Sequence, residues 1–386
     1  MKIRIRYFQN YNAYKRLNPE NNSGQIFYFP TFGLTINFNE NEKNILKGLY
    51  ARCLERVCTF DLSWKRNFFC YFGDLNSFHL FSYWVELESK QAFEEIQKLL
   101  SNYRLAEKFE YKIGNKIFSS AEKYVMGILN VTDDSFFDGG KYTSEKKIKE
   151  RIDEFISAGV NIIDIGGEST RPGSEPISSE KELERILPAV EYALSKNAIV
   201  SIDTYKSKVA DKCLEMGAHI INDISGFKFD DEIADVCKKY NASAILMHIR
   251  GKPKTMQDNP YYEDTMAEIF DELKESILIA ETKGIKNIFI DPGIGFGKRV
   301  FDNFEILNRL EELKFLGYPV LIGLSRKSFI GKLLNLQPED RLTGTIVANS
   351  IAYIKGASII RVHDHKEAIE TKKLIQAITN PEITLQ

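Results

Sequence analysis

Few of the features that assign a chain quickly are present in this one. Its five cysteines (Cys53, Cys58, Cys70, Cys213, Cys237) in 386 residues are odd in number and form no CxxC pair. That argues against a disulfide framework and against a thiolate zinc site, and it predicts buried, reduced thiols in the cytoplasm. Histidine is scarce as well. His248, His363 and His365 lack partners at ligand spacing, so a histidine-rich transition-metal centre is not expected. Neither sign of charge is in excess. Lys+Arg 52 against Asp+Glu 54 gives a formal net charge of −2, which speaks against a nucleic-acid partner held by phosphate neutralisation. No apolar run approaches a membrane span, and MKIRIRYFQN at the start is not followed by the apolar core of a leader. Neither a membrane partner nor secretion is expected. A Ser-His-Asp triad is possible on residue count, but there is no nucleophile elbow.

The phosphate motifs are missing too. Residues 291–298 read DPGIGFGK, which looks at first like a cradle for phosphate. A Walker loop needs a glycine where this chain has Pro292, and Ser or Thr where it has Arg299. A dinucleotide fingerprint begun at Gly293 needs its last glycine where Lys298 stands. Both fail on spacing. The preceding KNIFI (286–290) reads as a buried strand, so the stretch is a strand end that runs into a glycine-rich loop.

Two rhythms divide what is there. Residues 1–108 are rich in Phe and Tyr, with short apolar runs at QIFYF (25–29), FFCYF (68–72) and FHLFSYWV (78–85) that read as strands. NEKNILKGLYARCLERV and SKQAFEEIQKLLSNYRLAEK repeat apolar residues every three or four positions and read as helices. A smaller α/β domain of accessory role is expected here, with its aromatic residues in the core. FEYKIGNKIF (109–118) alternates about Gly114-Asn115 as a hairpin would. From Tyr124 the runs YVMGILN, VNIIDIG, AIVSID, AHIIND, SAILMH, NIFIDPG, PVLIGLS and SIIRVHD alternate with amphipathic stretches such as SEKELERILPAVEYALS. Eight strands and intervening helices over roughly 250 residues is the arithmetic of a TIM (β/α)8 barrel. Residues 109–386 are therefore expected to form such a barrel.

Catalytic residues of that fold sit at the C-terminal ends of the strands. Here nearly every run ends in a group capable of chemistry: Asn130, Asp164 and Glu168, Asp203, Asn222, Met247 and His248, Asp291, Ser325 to Ser328, Arg361 and His363. Each alone is explained as a turn former or helix cap. Their convergence on one rim is not. Asp203, Asn222 and Asp291 suit a flat heterocycle bearing several N–H donors. Arg171, Lys327, Arg361 and His363 suit an anion, and Asn130 is a hard oxygen donor for a magnesium ion that keeps most of its waters.

These residues lie in motifs that resemble the dihydropteroate synthases: MGILNVTDDSFFDGG (126–140), GGESTRPGS (166–174), SIDTYKSKVA (201–210), IND (221–223), DPGIGFGK, GLSRKSFIG (323–331) and RVHD (361–364). The resemblance covers roughly residues 109–386. It implies condensation of 6-hydroxymethyl-7,8-dihydropterin diphosphate with p-aminobenzoate, giving 7,8-dihydropteroate and pyrophosphate for folate synthesis. It also implies a Mg2+ ion at Asn130 and diphosphate contacts from Thr170, Arg361 and His363. Pterin contacts are implied for Asp203, Asn222, Asp291, Lys327 and Arg361, with Met247 and Phe296 as apolar walls. Phe136, Arg171, Pro172 and Ser328 are implied on the p-aminobenzoate side, and a homodimer is implied through the helical face. Sulfonamides are implied as competitors of p-aminobenzoate.

Three positions depart from the family pattern: Asp133 and Phe137 in the first loop, where Pro and Ser are usual, and His365, where Val is usual and a solvated helix start is expected. Two rivals share the pterin-reading residues: a methyltetrahydrofolate-type methyltransferase and a non-catalytic pterin-binding homologue. The anion-binding residues of GLSRKS and RVHD favour the synthase. Within DPGIGFGK, Asp291 is expected to accept paired hydrogen bonds from the pterin, with Lys298 mattering less.

Overall fold

A computed structural model describes residues 1–8, 31–54, 60–63, 68–132, 141–170 and 173–385. It forms two compact units: Met1–Glu107 with Glu311–Tyr318, and Lys108–Leu310 with Pro319–Gln386.

The first unit is an antiparallel sheet with helices. Strands β1 (Lys2–Phe8), β2 (Thr31–Asn37), β3 (Phe60–Ser63) and β4 (Phe68–Gly73) pair in the order β1-β2-β4-β3. Helices α1 (Lys43–Leu54), α2 (Leu75–Glu86) and α3 (Lys90–Ala106) complete it. Residues 78–85, expected as a strand, lie inside α2. The Asp74 side chain caps that helix by accepting the Ser77 N–H at 2.7 Å. Phe78, Phe81, Ser82 and Val85 then fall on one buried face at three- and four-residue spacing. The aromatic and β-branched composition that suggested a strand is overridden by the cap and this period. QIFYF lies outside the described residues. The aromatic residues do build the core: the rings of Phe69 and Tyr71 each stack on Phe81, at 5.7 and 4.3 Å between centroids.

Glu311–Tyr318 belongs to this unit although it lies between barrel strands in the sequence. The Tyr7 N–H donates to Glu312 at 2.6 Å, Asn102 donates to the Phe315 carbonyl at 3.1 Å, and the Tyr103 hydroxyl donates to Glu311 at 2.6 Å. The Phe315 ring, buried, meets those of Phe32 and Tyr103.

The second unit opens with a hairpin, β5 (Glu110–Ile113) and β6 (Lys116–Ser119). A closed parallel TIM barrel follows, of β7 (Tyr124–Asn130), β8 (Ile162–Gly166), β9 (Val200–Asp203), β10 (Ile220–Asp223), β11 (Ser243–Met247), β12 (Ile288–Asp291), β13 (Val320–Gly323) and β14 (Ala357–Val362). The last strand, β14, pairs with β7. Helices α4 (Lys141–Ala158), α5 (Ser179–Ser195), α6 (Ser207–Glu215), α7 (Ile233–Lys239), α8 (Thr265–Thr282), α9 (Val300–Asn308), α10 (Ser328–Leu334), α11 (Leu342–Ile354) and α12 (His365–Thr379) connect and follow the strands.

One apolar cluster closes the N-terminal end of this barrel. Phe109, Ile113 and Phe118 of the hairpin pack on Met126, Ile162, Ile199, Ile220, Ile245, Phe289, Leu321 and Ile359, which come from the beginnings of all eight strands. Side chains alternate faces along a strand, so the residue two places on points into the barrel as well. Those residues are Ile128, Asp164, Ser201, Asn222, Met247, Asp291, Gly323 and Arg361. Hydrophobic plug and polar mouth are thus successive layers written in one register.

His365 does not sit in water as expected for a helix start. It is buried at the first position of α12, edge-on to the Phe155 ring at 5.0 Å, and burial lowers its imidazole pKa. Cys70, Cys213 and Cys237 are buried free thiols, and burial raises each of them. Among the described residues no helix is long and apolar enough to cross a membrane.

Candidate active site

The mouth of the barrel holds a network of opposite charges that the strand register brings together. Arg361 of β14 donates through Nε to Asp164 Oδ2 and through a terminal nitrogen to Asp203 Oδ2, both at 2.6 Å. Asn222 donates to the same Asp164 oxygen at 3.1 Å. Asp164 is fully buried, and Asn222 and Asp291 nearly so. Burial would lower the guanidinium pKa of Arg361, but the two carboxylates hold it above its ordinary value. Burial pushes the Asp203 carboxyl up to about 7. Arg361 pulls it the other way, and Asp164 adds to the rise. Oδ1 of Asp164 and Oδ1 of Asp203 are buried with no partner among the described residues. Inside a protein such acceptors are costly unless a donor meets them. They are ready for a ligand that presents N–H groups.

Asp291 and Lys327 form the opposite side. The Gly293 N–H donates to Asp291 Oδ1 at 2.7 Å, and burial raises this carboxyl while Lys327 opposes the rise. Lys327 precedes α10, and its ammonium reaches back over the Phe296 ring at 4.9 Å and donates to the Ile294 carbonyl. A Cβ at Gly323 would meet Lys327 Nζ at 3.8 Å, an ordinary van der Waals contact. Burial pulls the Lys327 ammonium down to about 8, with Asp291 acting against it.

The glycine-rich loop after β12 commits several of its backbone donors internally, whereas an anion nest requires them free. Gly293 N–H goes to Asp291, Gly295 N–H to Asn303 Oδ1 at 2.7 Å, and Phe296 N–H to the Gly293 carbonyl at 3.1 Å. The glycines serve close approach. Gly293 and Gly297 have φ of 67° and 65°, and a Cβ would run into the carbonyl oxygens of His248 and Arg250 respectively.

The structure brings Asp203, Asn222, Asp291, Lys327, Phe296, Met247 and Arg361 into the mouth. Arg361, expected against both the pterin and the diphosphate, shares its charge with two carboxylates here. Asn130 ends β7 at the rim, half-buried, and Thr170 lies half-buried in the loop after β8. His363 follows β14, with its N–H on Ser325 Oγ at 3.3 Å and its carbonyl accepting from Arg151 at 2.7 Å. Ser328 begins α10, exposed. Phe136, Arg171 and Pro172, and the departures Asp133 and Phe137, lie outside the described residues.

Sequence reasoning placed Asp164 on the rim but gave it no role, yet its Oδ2 is shared by Arg361 and Asn222. Its signal was a lone charge inside the apolar run IIDIG, at an inward-facing position.

Comparison with known proteins agrees with this geometry. The family described as pterin binding enzyme matches residues 126–363. A dihydropteroate synthase of Clostridium beijerinckii is 47% identical over 272 residues, covering 69% of this chain and 98% of that protein. Among solved structures, a dihydropteroate synthase from Clostridium difficile, determined in the presence of pteroic acid, superposes with a TM-score of 0.63 at 40% identity. That match covers 69% of this chain and 98% of the other. A Yersinia pestis dihydropteroate synthase with a sulfonamide drug complex gives 0.66 at 39%, covering 71% and 100%. A plugged parallel barrel whose mouth sets buried carboxylates and an amide against Arg361 and Lys327 therefore has a family: this chain belongs to the pterin-binding enzymes, among the dihydropteroate synthases.

Proposed function

We propose that the barrel joins 6-hydroxymethyl-7,8-dihydropterin diphosphate to p-aminobenzoate, releasing pyrophosphate. The observation that carries the assignment of roles is the excess of buried acceptor oxygens on Asp164, Asp203 and Asp291, two of them without donors among the described residues. A pterin ring offers N–H groups on one edge, which fits those acceptors. Met247 and the Phe296 ring supply flat apolar walls, and Lys327 above Phe296 supplies charge.

The leaving group is a diphosphate on a methylene attached to an electron-rich ring. That ring stabilises positive charge at the methylene, so departure runs ahead of attack by the amine. The protein then has to position the partners and stabilise the departing anion, for which Thr170, Arg361 and His363 are placed in this reading. The arylamine is neutral at pH 7, so no strong base is needed. Among the described residues no group of three His, Cys, Asp or Glu side chains could hold a metal. Asn130 offers one neutral oxygen, which fits a Mg2+ ion held mainly by water and substrate phosphate. When bound, that ion would neutralise diphosphate charge.

The test is pyrophosphate release measured with both substrates. Turnover that requires each of them supports the reading, and release with neither pterin nor arylamine dependence overturns it. Sulfonamides present the same aniline ring, so they are expected to raise the apparent KM for p-aminobenzoate without changing kcat. Purely noncompetitive kinetics would contradict that placement.

The second unit also carries exposed apolar side chains at helical spacing, Val347, Ile351 and Ile354 on α11 with Leu374 and Ile378 on the neighbouring α12. A patch of this kind on a soluble barrel marks an interface, and we assign it to pairing of two copies. Sedimentation of Ile354→Glu is expected to show monomer where the parent shows dimer. A parent that sediments as monomer would remove the assignment.

A further inference from the structure

Lys298 is the last residue of DPGIGFGK and is only 3% exposed. Lysine is almost never buried to that degree unless paired with an acid, and among the described residues no carboxylate is bonded to its ammonium. Instead Nζ has three neutral acceptors: the Phe296 carbonyl at 3.0 Å, the His248 carbonyl at 3.4 Å and His248 Nδ1 at 2.9 Å. With Lys298 charged its ammonium only donates, which makes Nδ1 the acceptor and leaves the ring proton on Nε2. Nε2 faces Glu272 Oε2 at 3.1 Å. Burial holds His248 down to about 3, which agrees with a neutral ring.

The chain of contacts continues and returns to its start. Glu272 Oε1 accepts from Arg250 at 2.7 Å, the Arg250 guanidinium lies 3.9 Å over the Tyr262 ring, and the Tyr262 hydroxyl donates to the Gly297 carbonyl at 2.9 Å. Residues 296–298 are therefore closed into a ring with His248 and Arg250 after β11, Tyr262, and Glu272 within α8. Phe296 is the member of that ring whose side chain reaches the mouth, beneath Lys327.

We propose that Lys298 is a positioning residue for pterin recognition: by donating to the Phe296 carbonyl and to His248, it fixes the Phe296 ring in the barrel mouth. This rests on the pterin reading above. Nothing in that reading uses Lys298, which acts through Phe296. Its ammonium also faces Asp291, whose negative charge opposes the pull of burial on Lys298 toward about 7, while Lys327 and Arg250 add to that pull and Glu272 opposes it.

Calorimetry with 6-hydroxymethyl-7,8-dihydropterin diphosphate tests the proposal on the full chain and four variants. Lys298→Met keeps reach and volume but has no donor, and it is expected to weaken pterin binding about 10-fold or more, the scale of losing hydrogen bonds from a charged group. Lys298→Gln restores an uncharged donor and is expected to recover part of that loss. Phe296→Leu alone is expected to weaken binding, and Lys298→Met combined with Phe296→Leu to lose no more than the worse single variant, because both act through one ring. A merely structural lysine would give losses that multiply and no advantage of Gln over Met. Either of those results overturns the proposal, as does Lys298→Met binding within twofold of the parent. Should Lys298→Met fail to fold, Lys298→Gln decides: binding as weak as in Phe296→Leu overturns the proposal, and intermediate binding supports it. A parent chain that binds no pterin diphosphate would instead overturn the substrate assignment itself.

Discussion

Arg361→Ala is expected to destabilise the barrel by about 3–5 kcal/mol at alkaline pH, the cost of leaving buried charge without its partner. Two carboxylates lose a donor at once, since the guanidinium bonds both Asp164 and Asp203. The pH dependence separates charge compensation from simple loss of packing. Asp203 has its folded value raised from 3.8 to about 7. A raised carboxyl contributes stability that is complete below its unfolded value and is lost as pH rises through its folded value. Arg361 lowers that folded value, so its removal moves the folded value higher still. At pH 5 Asp203 is protonated in parent and variant alike, and its share of the deficit disappears. Above pH 7 the parent ionises Asp203 against Arg361, whereas the variant cannot. Urea unfolding is therefore expected to give a smaller deficit at pH 5 than at pH 8, the loss at Asp164 remaining at both. Equal deficits at both would show that Arg361 serves packing rather than charge.

Asp291→Asn is expected to keep the fold and weaken binding of pterin diphosphate by roughly 2–5 kcal/mol, by analogy with truncating a hydrogen-bonded charge pair. The fold survives because one oxygen is already committed locally. The Gly293 N–H donates to Asp291 Oδ1, and an asparagine carbonyl accepts that bond equally well. What changes is the other atom, which becomes an NH2 facing ligand donors. Two donors then oppose each other in a site that excludes water. The variant also removes a negative charge that acts on Lys327 and Lys298, so both amines become easier to deprotonate. Calorimetry decides it, with thermal unfolding as the control for the fold. Near-normal affinity in a folded Asp291→Asn would mean that this carboxylate does not read the ring.

The barrel was legible because its strands are short apolar runs ended by polar residues, and parallel strands buried on both faces must look so. The mouth was legible for the same reason: Asn222, Asp291 and Arg361 each stand two places after a plug residue. Which polar groups bond to which was not. The Arg361–Asp164 pair is separated by 197 positions and the Arg361–Asp203 pair by 158, and only barrel closure sets them side by side. The burial of Lys298 was not legible either, because lysine is seldom buried. Helix α2 was misread because its aromatic residues carry strand propensity, and its Asp74 cap is a local signal that propensity drowned. The buried His365 shows the same limit: a polar residue at a helix start is exposed only if no neighbouring ring, here Phe155, comes to cover it.

The segment Glu311–Tyr318 gives the first unit a peculiar schedule during synthesis. The Tyr7–Glu312 bond spans 305 positions, so the unit that begins at the N-terminus cannot complete itself until six of the eight barrel strands have been made. Chains are extended at roughly 5–20 residues per second, which leaves the site filled by Phe315 open for some tens of seconds. In that interval the sheet of β1 to β4 is a nascent surface still waiting for its last piece. A ribosome stalled before residue 311 would therefore hold an unfinished first unit, even though every residue before Glu107 had long since emerged.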